Sequence, residues 1–234
     1  MDVAVIIPAH DEAVRIGATV RAAATIPQVT RVVVVDDGSR DDTDQVAETA
    51  GAKVVRLWGN RGKGTALEAG AARVADADVV LLLDADLGET AAQAELLLAP
   101  LLAGEADMTI AGFPPARGKA GFGLVKGLAH WGIAQLGGGF DALAPLSGQR
   151  ALTRACLATV RPFSAGYGAE VGLTVRALRA GFRVREVPTT MAHAETGRDL
   201  KGFVHRGRQF VHVAIALLGL ALEKPPRART GDDL

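Results

Sequence analysis

Short apolar runs alternate with segments of helical composition along the first half of the chain, and this alternation limits the fold more than any other feature. Residues 3–8 are apolar throughout, and an alanine-rich segment follows them. A strand without polar positions is buried on both faces, and repeated strand–helix units build parallel sheets covered by helices. The pattern therefore predicts an α/β fold with a mostly parallel sheet flanked by helices.

Five strands and four helices are expected before residue 113. The strands are expected at 3–8, 31–35, 53–57, 79–83 and 108–111, and the helices at 11–25, 41–50, 64–75 and 91–102. Beyond this point Pro114, Pro115 and Gly118 break the rhythm, which indicates a mobile segment. Further helices are expected at 124–136, 151–160, 169–180 and 200–222, with a short strand near Ser147 and another at 183–187.

Composition narrows the class of protein. The 234 residues, 49% of them hydrophobic, suit one large domain, and 26 basic residues balance 26 acidic ones, so nothing points to nucleic acid. A single cysteine, Cys156, excludes an internal disulfide, and the amino terminus lacks signal-peptide features, so a cytoplasmic protein is expected. The apolar run 211–222 is too short to cross a bilayer, although it could lie on a lipid surface at the inner face.

Acidic residues follow three of the expected strands directly. They occur at His10-Asp11-Glu12, at Asp36-Asp37-Gly38 and at Asp84-Ala85-Asp86. Ligands of open parallel sheets gather at the carboxyl ends of the strands, so folding should bring these segments together.

The spacing of Asp84 and Asp86 lets a turn aim both carboxylates at one hard cation, Mg²⁺ or Mn²⁺, that bridges diphosphate oxygens. Asp36 and Asp37 could accept hydrogen bonds from ribose hydroxyls or a base, or simply belong to a capped turn. Lys63 lies in a glycine-rich entry to a helix, where an anion could bind, and the alternative is a solvated basic turn.

Taken in order, residues 8–12 (Pro-Ala-His-Asp-Glu), 36–39 (Asp-Asp-Gly-Ser), 62–64 (Gly-Lys-Gly) and 84–86 (Asp-Ala-Asp) resemble the inverting family-two glycosyltransferases. The resemblance implies a GT-A fold in one domain, 1–224, with a nucleotide-sugar half (1–112) and an acceptor half (113–224). Two prolines and mixed charges predict a disordered tail at 225–234. Nucleotide-sugar contacts are expected from Pro8, Ala9, His10, Glu12, Asp36, Asp37, Lys63, Asp84 and Ala85.

The second half is similar to the polyprenyl-phosphate, dolichyl-phosphate-mannose-synthase-like branch, through residues 145–150, 166–170 and 186–188. That similarity implies acceptor contacts from Ser147, Gln149, Arg198 and Lys201. The same segments are also similar to glucosyl-3-phosphoglycerate synthases, which are retaining enzymes. In that case a late histidine, His193 or His205, would join Asp84 and Asp86 as a metal ligand.

The expected catalytic residues are Asp86, Glu170 and Arg150. A phosphate acceptor is already a nucleophile, so Arg150, Arg198 and Lys201 would only orient it. A hydroxyl acceptor needs a general base, for which Glu170 and Asp141 are the candidates.

The sequence leaves four alternative functions open. The first is inverting transfer of a hexose from a UDP- or GDP-linked sugar to a polyprenyl phosphate or other lipid acceptor, with peripheral membrane contact and a homodimer as further expectations. The second is retaining glucosyl transfer to a small phosphorylated acid such as 3-phosphoglycerate. A nucleotidyltransferase is the third, although it predicts a basic loop after the first strand. A non-catalytic binding protein is the fourth.

Overall fold

A single seven-stranded sheet covered by helices on both faces forms the described part of this computed structural model. The structure describes residues 1–113, 123–164, 168–192 and 200–224, with the backbone only for 200–208. The expected α/β class, with a mostly parallel sheet flanked by helices, is confirmed.

The strands begin and end close to the predicted positions in the first half. The strands are β1 (Val3–Ala9), β2 (Val29–Asp36), β3 (Lys53–Arg56), β4 (Val79–Leu82), β5 (Met108–Gly112), β6 (Arg150–Thr153) and β7 (Val184–Pro188). The helices are α1 (Ala13–Ala24), α2 (Thr43–Thr49), α3 (Lys63–Arg73), α4 (Glu95–Leu102), α5 (Gly123–Leu136), α6 (Arg154–Val160), α7 (Ala169–Arg179) and α8 (Leu200–Leu222). A 3-10 helix, Gly88–Ala94, precedes α4.

The strand order is β3-β2-β1-β4-β6-β5-β7. β6 runs antiparallel to both of its neighbours, β4 and β5, whereas the other pairs are parallel. The carboxyl ends of the remaining six strands therefore lie along one edge of the sheet, where the start of β6 joins them.

Successive residues of the strands face two separate cores, as the pleat of a strand requires. Val5 and Ile7 of β1 pack with α1 and α4 on one face, while Ala4 and Ile6 pack with α3, α6 and α7 on the other. Full burial of an aliphatic side chain contributes about 1.5–3 kcal/mol, so these continuous apolar runs fix the sheet between the helices.

A third cluster joins α5, α7 and α8 beside the sheet, with Val213 and Leu217 of α8 buried in it. The outer side of α8 exposes Val211, Ile215 and Leu218. Among the described helices, none combines the length and the apolar character needed to pass through a bilayer.

Two expected elements differ from the structure. The predicted helix 151–160 is divided into β6 and α6, because Ala151 and Leu152 insert between β4 and β5 and are fully buried there. The predicted helix 91–102 starts as the 3-10 helix and becomes α-helical only at Glu95. The expected mobile segment after Phe113 and the expected tail 225–234 fall on residues 114–122 and 225–234, outside the described residues.

Candidate functional site

Two loops at the carboxyl edge of the sheet are locked together by the carboxylate of Asp37. Its two oxygens accept hydrogen bonds from the backbone N–H groups of Arg61 at 2.8 Å and Gly62 at 2.7 Å. Beneath them Gly38 has a φ of +73°, and a Cβ there would lie 2.5 Å from the Gly59 backbone. Glycine is therefore required at position 38, both by conformation and by space.

Lys63 joins the two halves of the chain. Its Nζ donates to Oδ1 of Asp84 at 2.6 Å and to Oε1 of Glu170 at 2.8 Å. Burial alone would lower the pKa of Lys63, but the two carboxylates outweigh burial and raise this pKa above its usual value. The lysine is therefore a cation held between two carboxylates, at the entry to α3.

Residues 147–149 close over Asp84 from the other side. Nε2 of Gln149 donates to Oδ2 of Asp84 at 2.6 Å, and Oγ of Ser147 donates to Oε1 of Gln149 at 3.3 Å. Between them Gly148 leaves no room for a side chain, since a Cβ would lie 2.6 Å from the Lys63 Nζ. Both oxygens of Asp84 are thus engaged within the protein.

Arg150 is fully buried behind this loop. Its Nε donates to the Ser147 carbonyl at 2.9 Å and its Nη1 to Oγ1 of Thr174 at 2.8 Å, while that hydroxyl donates to the Glu170 carbonyl at 3.0 Å. Burial lowers the pKa of Arg150 to about 10, so the guanidinium still carries its charge at neutral pH. It supports the loop and the first turn of α7.

This burial corrects two expectations. Arg150 cannot orient an acceptor and Gln149 cannot contact one in this conformation, because both side chains are inaccessible and bonded to protein groups. Ser147 is also buried, with 6% of its surface exposed. These polar residues support Asp84 and Glu170 and do not face a substrate.

A cavity of about 190 Å³ lies in front of Lys63 and Asp84. The residues that line it are Pro8, Ala9, His10, Asp37, Asn60, Gly62, Lys63, Ala66 and Asp84. Nδ1 of His10 lies 3.0 Å from the Asp37 carbonyl, and since a carbonyl only accepts, this nitrogen carries the proton. Six of the residues predicted to contact a nucleotide sugar therefore meet at one cavity.

Two other predicted nucleotide contacts are buried, and direct contact through their side chains is wrong for this conformation. Asp36 is fully buried, where Oδ1 accepts from the Ser39 backbone N–H at 2.9 Å and Oδ2 lies 3.3 Å from Nε of Arg56. The Ala85 side chain packs in the core, and its carbonyl accepts from Thr19 at 2.8 Å. Both residues shape the edge of the sheet.

Asp86 and Glu12 place like charges near each other beside the cavity. The pKa of Glu12 is raised, first by burial and then by the negative charge of Asp86. A hard divalent cation would relieve such repulsion, so the carboxylates of Asp86 and Glu12 suit Mg²⁺ or Mn²⁺ as two of its ligands. Asp84 is a poorer candidate ligand, because Lys63 or Gln149 would first have to leave it.

Of the remaining predicted residues, only Asp141 has a side chain that the structure describes. Asp141 has a side chain that is 78% exposed and lies 3.7 Å from Nε2 of His130. Of the two candidate general bases it is therefore Glu170 that joins the cluster, through its ion pair with Lys63. His193 and Arg198 lie outside the described residues, and for Lys201 and His205 the backbone alone is described. The described residues contain no group of three or more His, Cys, Asp or Glu that could hold a metal.

Four residues of the site were given no role from the sequence: Asn60, Ala66, Gly148 and Thr174. Asn60 and Gly148 lie inside segments that the sequence did single out, 60–64 and 145–150, and Ala66 follows the first of these. Thr174 shows no local signal, because its importance depends on its contact with Arg150, 24 residues away in the chain.

Comparisons with family models, with similar sequences and with solved structures all lead to glycosyltransferases. The family model described as Glycosyl transferase family 2 matches residues 4–133. A glucosyl-3-phosphoglycerate synthase of Mycolicibacterium paratuberculosis is 33% identical over 195 residues, which cover 74% of this chain and 59% of that protein. The glycosyltransferase AglJ of Haloferax volcanii is 33% identical over 174 residues, covering 72% and 56%. The chain thus spans less than two thirds of the length of these two relatives.

The solved structures that resemble this chain include a protein of the same name, glucosyl-3-phosphoglycerate synthase. The glucosyl-3-phosphoglycerate synthase of Mycobacterium tuberculosis in complex with Mn²⁺, UDP and phosphoglyceric acid superposes with a TM-score of 0.79 at 28% identity, covering 94% of this chain and 78% of that one. Its complex with Mg²⁺ and UDP gives a TM-score of 0.79 at 28% identity, covering 94% and 79%. With a family model that matches more than half of its residues, this chain belongs to glycosyl transferase family 2.

Proposed function

We propose that this chain is a divalent-cation-dependent glycosyltransferase that moves a hexose from a nucleoside diphosphate sugar to a small phosphorylated acid. The observation that carries the proposal is that Asp37, Lys63 and Asp84 line one cavity, with Glu170 hydrogen-bonded to Lys63 and Asp86 two residues beyond Asp84. The cavity offers backbone and carboxylate groups for a nucleoside, and Lys63 offers a cation for a diphosphate.

The cation would be held chiefly by Asp86, with Glu12 close by. A metal ion at this position supplies Lewis acidity that neutralises the charge developing on a nucleoside diphosphate leaving group. Lys63 lines the cavity, so it would add a second positive charge once a bound diphosphate draws its ammonium away from Asp84 or Glu170. In agreement, the similar mycobacterial synthase has been crystallised with Mn²⁺ or Mg²⁺ together with UDP.

The comparisons favour the phosphorylated acid over the polyprenyl phosphate that the sequence resemblance placed first. Relatives from three mycobacterial species are named glucosyl-3-phosphoglycerate synthases, and a similar solved structure contains UDP-glucose and phosphoglyceric acid. We therefore propose UDP-glucose as the donor and a retaining outcome. Glu170 as a general base would require Lys63 to release it.

Thermal-shift measurements test the donor side of the proposal. UDP-glucose at about 100 times its dissociation constant should raise the melting temperature of the wild type by about 5 °C, and only when Mn²⁺ is present. Asp86→Ala should lose this response. Asp141→Ala, a matched change of an exposed aspartate, should keep it.

The proposed donor site is contradicted if UDP-glucose stabilises wild type and Asp86→Ala equally, both with and without Mn²⁺. GDP-linked sugars serve as the comparison that identifies the base. Incubation of the wild type with Mn²⁺ and UDP-glucose, plus either 3-phosphoglycerate or polyprenyl phosphate in vesicles, then identifies the acceptor. Transfer to 3-phosphoglycerate without any lipid supports the proposal, and transfer to the lipid alone overturns it.

The lipid acceptor remains the second candidate function, and one observation favours it. Val211, Ile215, Leu218 and Leu222 are exposed at helical spacing along the outer side of α8. Such a stripe suits contact with a membrane surface.

A further inference from the structure

A second, larger cavity lies on the same edge of the sheet and is not used by the proposed donor site. Its volume is about 510 Å³, and it is formed where β5 and β7 end, beside the 3-10 helix and α4. Leu96, Phe113 and Leu143 supply an apolar wall, and Gln93, Glu186 and Thr190 supply polar groups.

The register of the sheet places this cavity next to the Asp84 cluster. Arg150 of β6 pairs with Leu82 on one side and with Ile110 on the other. Asp84 and Gly112 each lie two residues beyond these partners. They are therefore separated by two strand spacings, about 10 Å, which is close enough for one substrate to reach from the cluster into the cavity.

Gln93 presents hydrogen-bond donors at this cavity. Its Oε1 accepts from the Thr190 backbone N–H at 2.8 Å and from the Thr190 hydroxyl at 3.0 Å. A backbone N–H can only donate, so this contact fixes which end of the Gln93 amide is oxygen. The Nε2 group makes no hydrogen bond to the described residues, which leaves its hydrogens for a ligand.

Glu186 presents an acceptor. One of its oxygens, Oε1, accepts from the Ala144 backbone N–H at 2.8 Å, which fixes the side chain. The other oxygen makes neither a hydrogen bond nor an ion pair within the described part of the chain. The buried charge of Arg150 attracts Glu186 from behind the cavity, but no ion pair forms between them.

This cavity combines a hydrogen-bond donor, a hydrogen-bond acceptor and an apolar wall, and a sugar ring has surfaces that complement all three. Hydroxyl groups both donate and accept, so they satisfy Gln93 and Glu186 together, while the C–H face of the ring packs on Phe113, Leu96 or Leu143. The free carboxylate oxygen of Glu186 disfavours an anion. We propose that this cavity is a subsite for a neutral, hydroxyl-bearing sugar ring. The inference rests on the proposed function and deepens it: the phosphorylated acid that accepts the hexose would also carry a neutral sugar ring, and this cavity would bind that ring.

Saturation-transfer NMR on the full chain tests the subsite with methyl α-D-glucopyranoside as the probe, without nucleotide or metal. Wild type should transfer saturation to the glucoside. Glu186→Gln keeps the acceptor for the Ala144 N–H but replaces the free oxygen by a donor, and it should weaken binding about tenfold. Leu143→Glu, at a position 66% exposed, should block the cavity without disturbing the fold.

Val14→Glu is the matched control, because Val14 is 93% exposed on α1, and it should bind the glucoside like wild type. The subsite is overturned if wild type gives no transfer, or if wild type, Glu186→Gln and Leu143→Glu bind equally. It is also overturned if 3-phosphoglycerate displaces the glucoside and binds Glu186→Gln more tightly than wild type. No nucleotide enters this experiment, so its failure is distinguishable from a failure of the Mn²⁺-dependent UDP-glucose response.

Discussion

At Gly148 the backbone passes very close to the side chains of Lys63 and Asp84. A Cβ at this position would lie 2.6 Å from Nζ of Lys63 and 2.8 Å from both carboxylate oxygens of Asp84. These atoms are the ends of flexible side chains, so they can move aside at little cost in stability. The same movement would separate Lys63 from Asp84.

Gly148→Ala should therefore leave the melting temperature of the free protein nearly unchanged while abolishing the Mn²⁺-dependent stabilisation by UDP-glucose. Thermal-shift titration measures both quantities on one sample. Gly219→Ala is the control, because Gly219 is exposed on α8 with open space around its Cα. Undiminished UDP-glucose binding by Gly148→Ala would show that the Lys63–Asp84 contact does not bind the donor.

Glu12 makes the stability of the folded protein depend on pH. Its pKa is raised in the folded state, mainly by burial and next by Asp86, so folding favours its protonated form. The stability that this preference contributes is fully present below the ordinary value of 4.5 and is lost as pH rises through the raised pKa. At neutral pH the ionised Glu12 therefore destabilises the fold relative to a neutral residue.

Glu12→Gln should be more stable than wild type at pH 7, and the advantage should shrink as the pH falls towards 4. Urea unfolding at several pH values in this range measures the difference in the free energy of unfolding. Glu48→Gln, an exposed change on α2, should show no such trend. A Glu12→Gln advantage that stays constant with pH would contradict the assignment.

At the residue scale, the sequence showed which acids follow strands but not which of them face outward. Both aspartates are buried, but Asp37 lines the cavity and Asp36 does not, because successive residues at a strand end point in opposite directions. Gln149 and Arg150 were expected to face an acceptor, yet both are buried. Their partners, Asp84 and Thr174, lie 65 and 24 residues away in the chain, where no local pattern reveals them.

At the element scale, the strands of the first half were predictable because they are buried on both faces and contain few polar residues. β6 was not, because residues 150–156 combine alanine, leucine and arginine in a composition that favours a helix. Its strand conformation comes from pairing with β4 and β5, which is a tertiary effect.

The contact of α5 with α8 gives a test at this scale. A Cβ on Gly132 of α5 would lie 2.3 Å from Cδ2 of Leu217 on α8, whose side chain is buried. Gly132→Ala should therefore reduce the free energy of unfolding by about 1–3 kcal/mol, as overpacking does. Urea denaturation provides the measurement.

Gly127→Ala is the matched control, since Gly127 lies on the same helix with open space around it. That substitution should be neutral or stabilise the protein by up to about 1 kcal/mol, because alanine is the better helix former. If Gly132→Ala were as stable as Gly127→Ala, the close approach of α5 and α8 described above would be incorrect.

For the whole molecule, the predicted meeting of acidic loops depended only on parallel strands sharing one edge, and the structure places Asp37, Asp84 and Lys63 at one cavity. Glu170 was also predicted to be a site residue, but its ion pair with Lys63 was not predicted. That pairing depends on how α7 packs against the sheet, which the periodicity of either half does not specify.

The central position of β6 connects the fold to the order in which the chain is synthesised. β4 emerges from the ribosome with β1 as its only earlier partner, and β5 pairs only with β6 and β7, both of which follow it. A nascent chain that ends near residue 112 therefore carries the open edge of β4, in addition to that of β3, and one apolar strand, β5, without a neighbour. Such surfaces recruit other chains, so the interval before Arg150–Thr153 emerges is when this protein most needs protection by a chaperone.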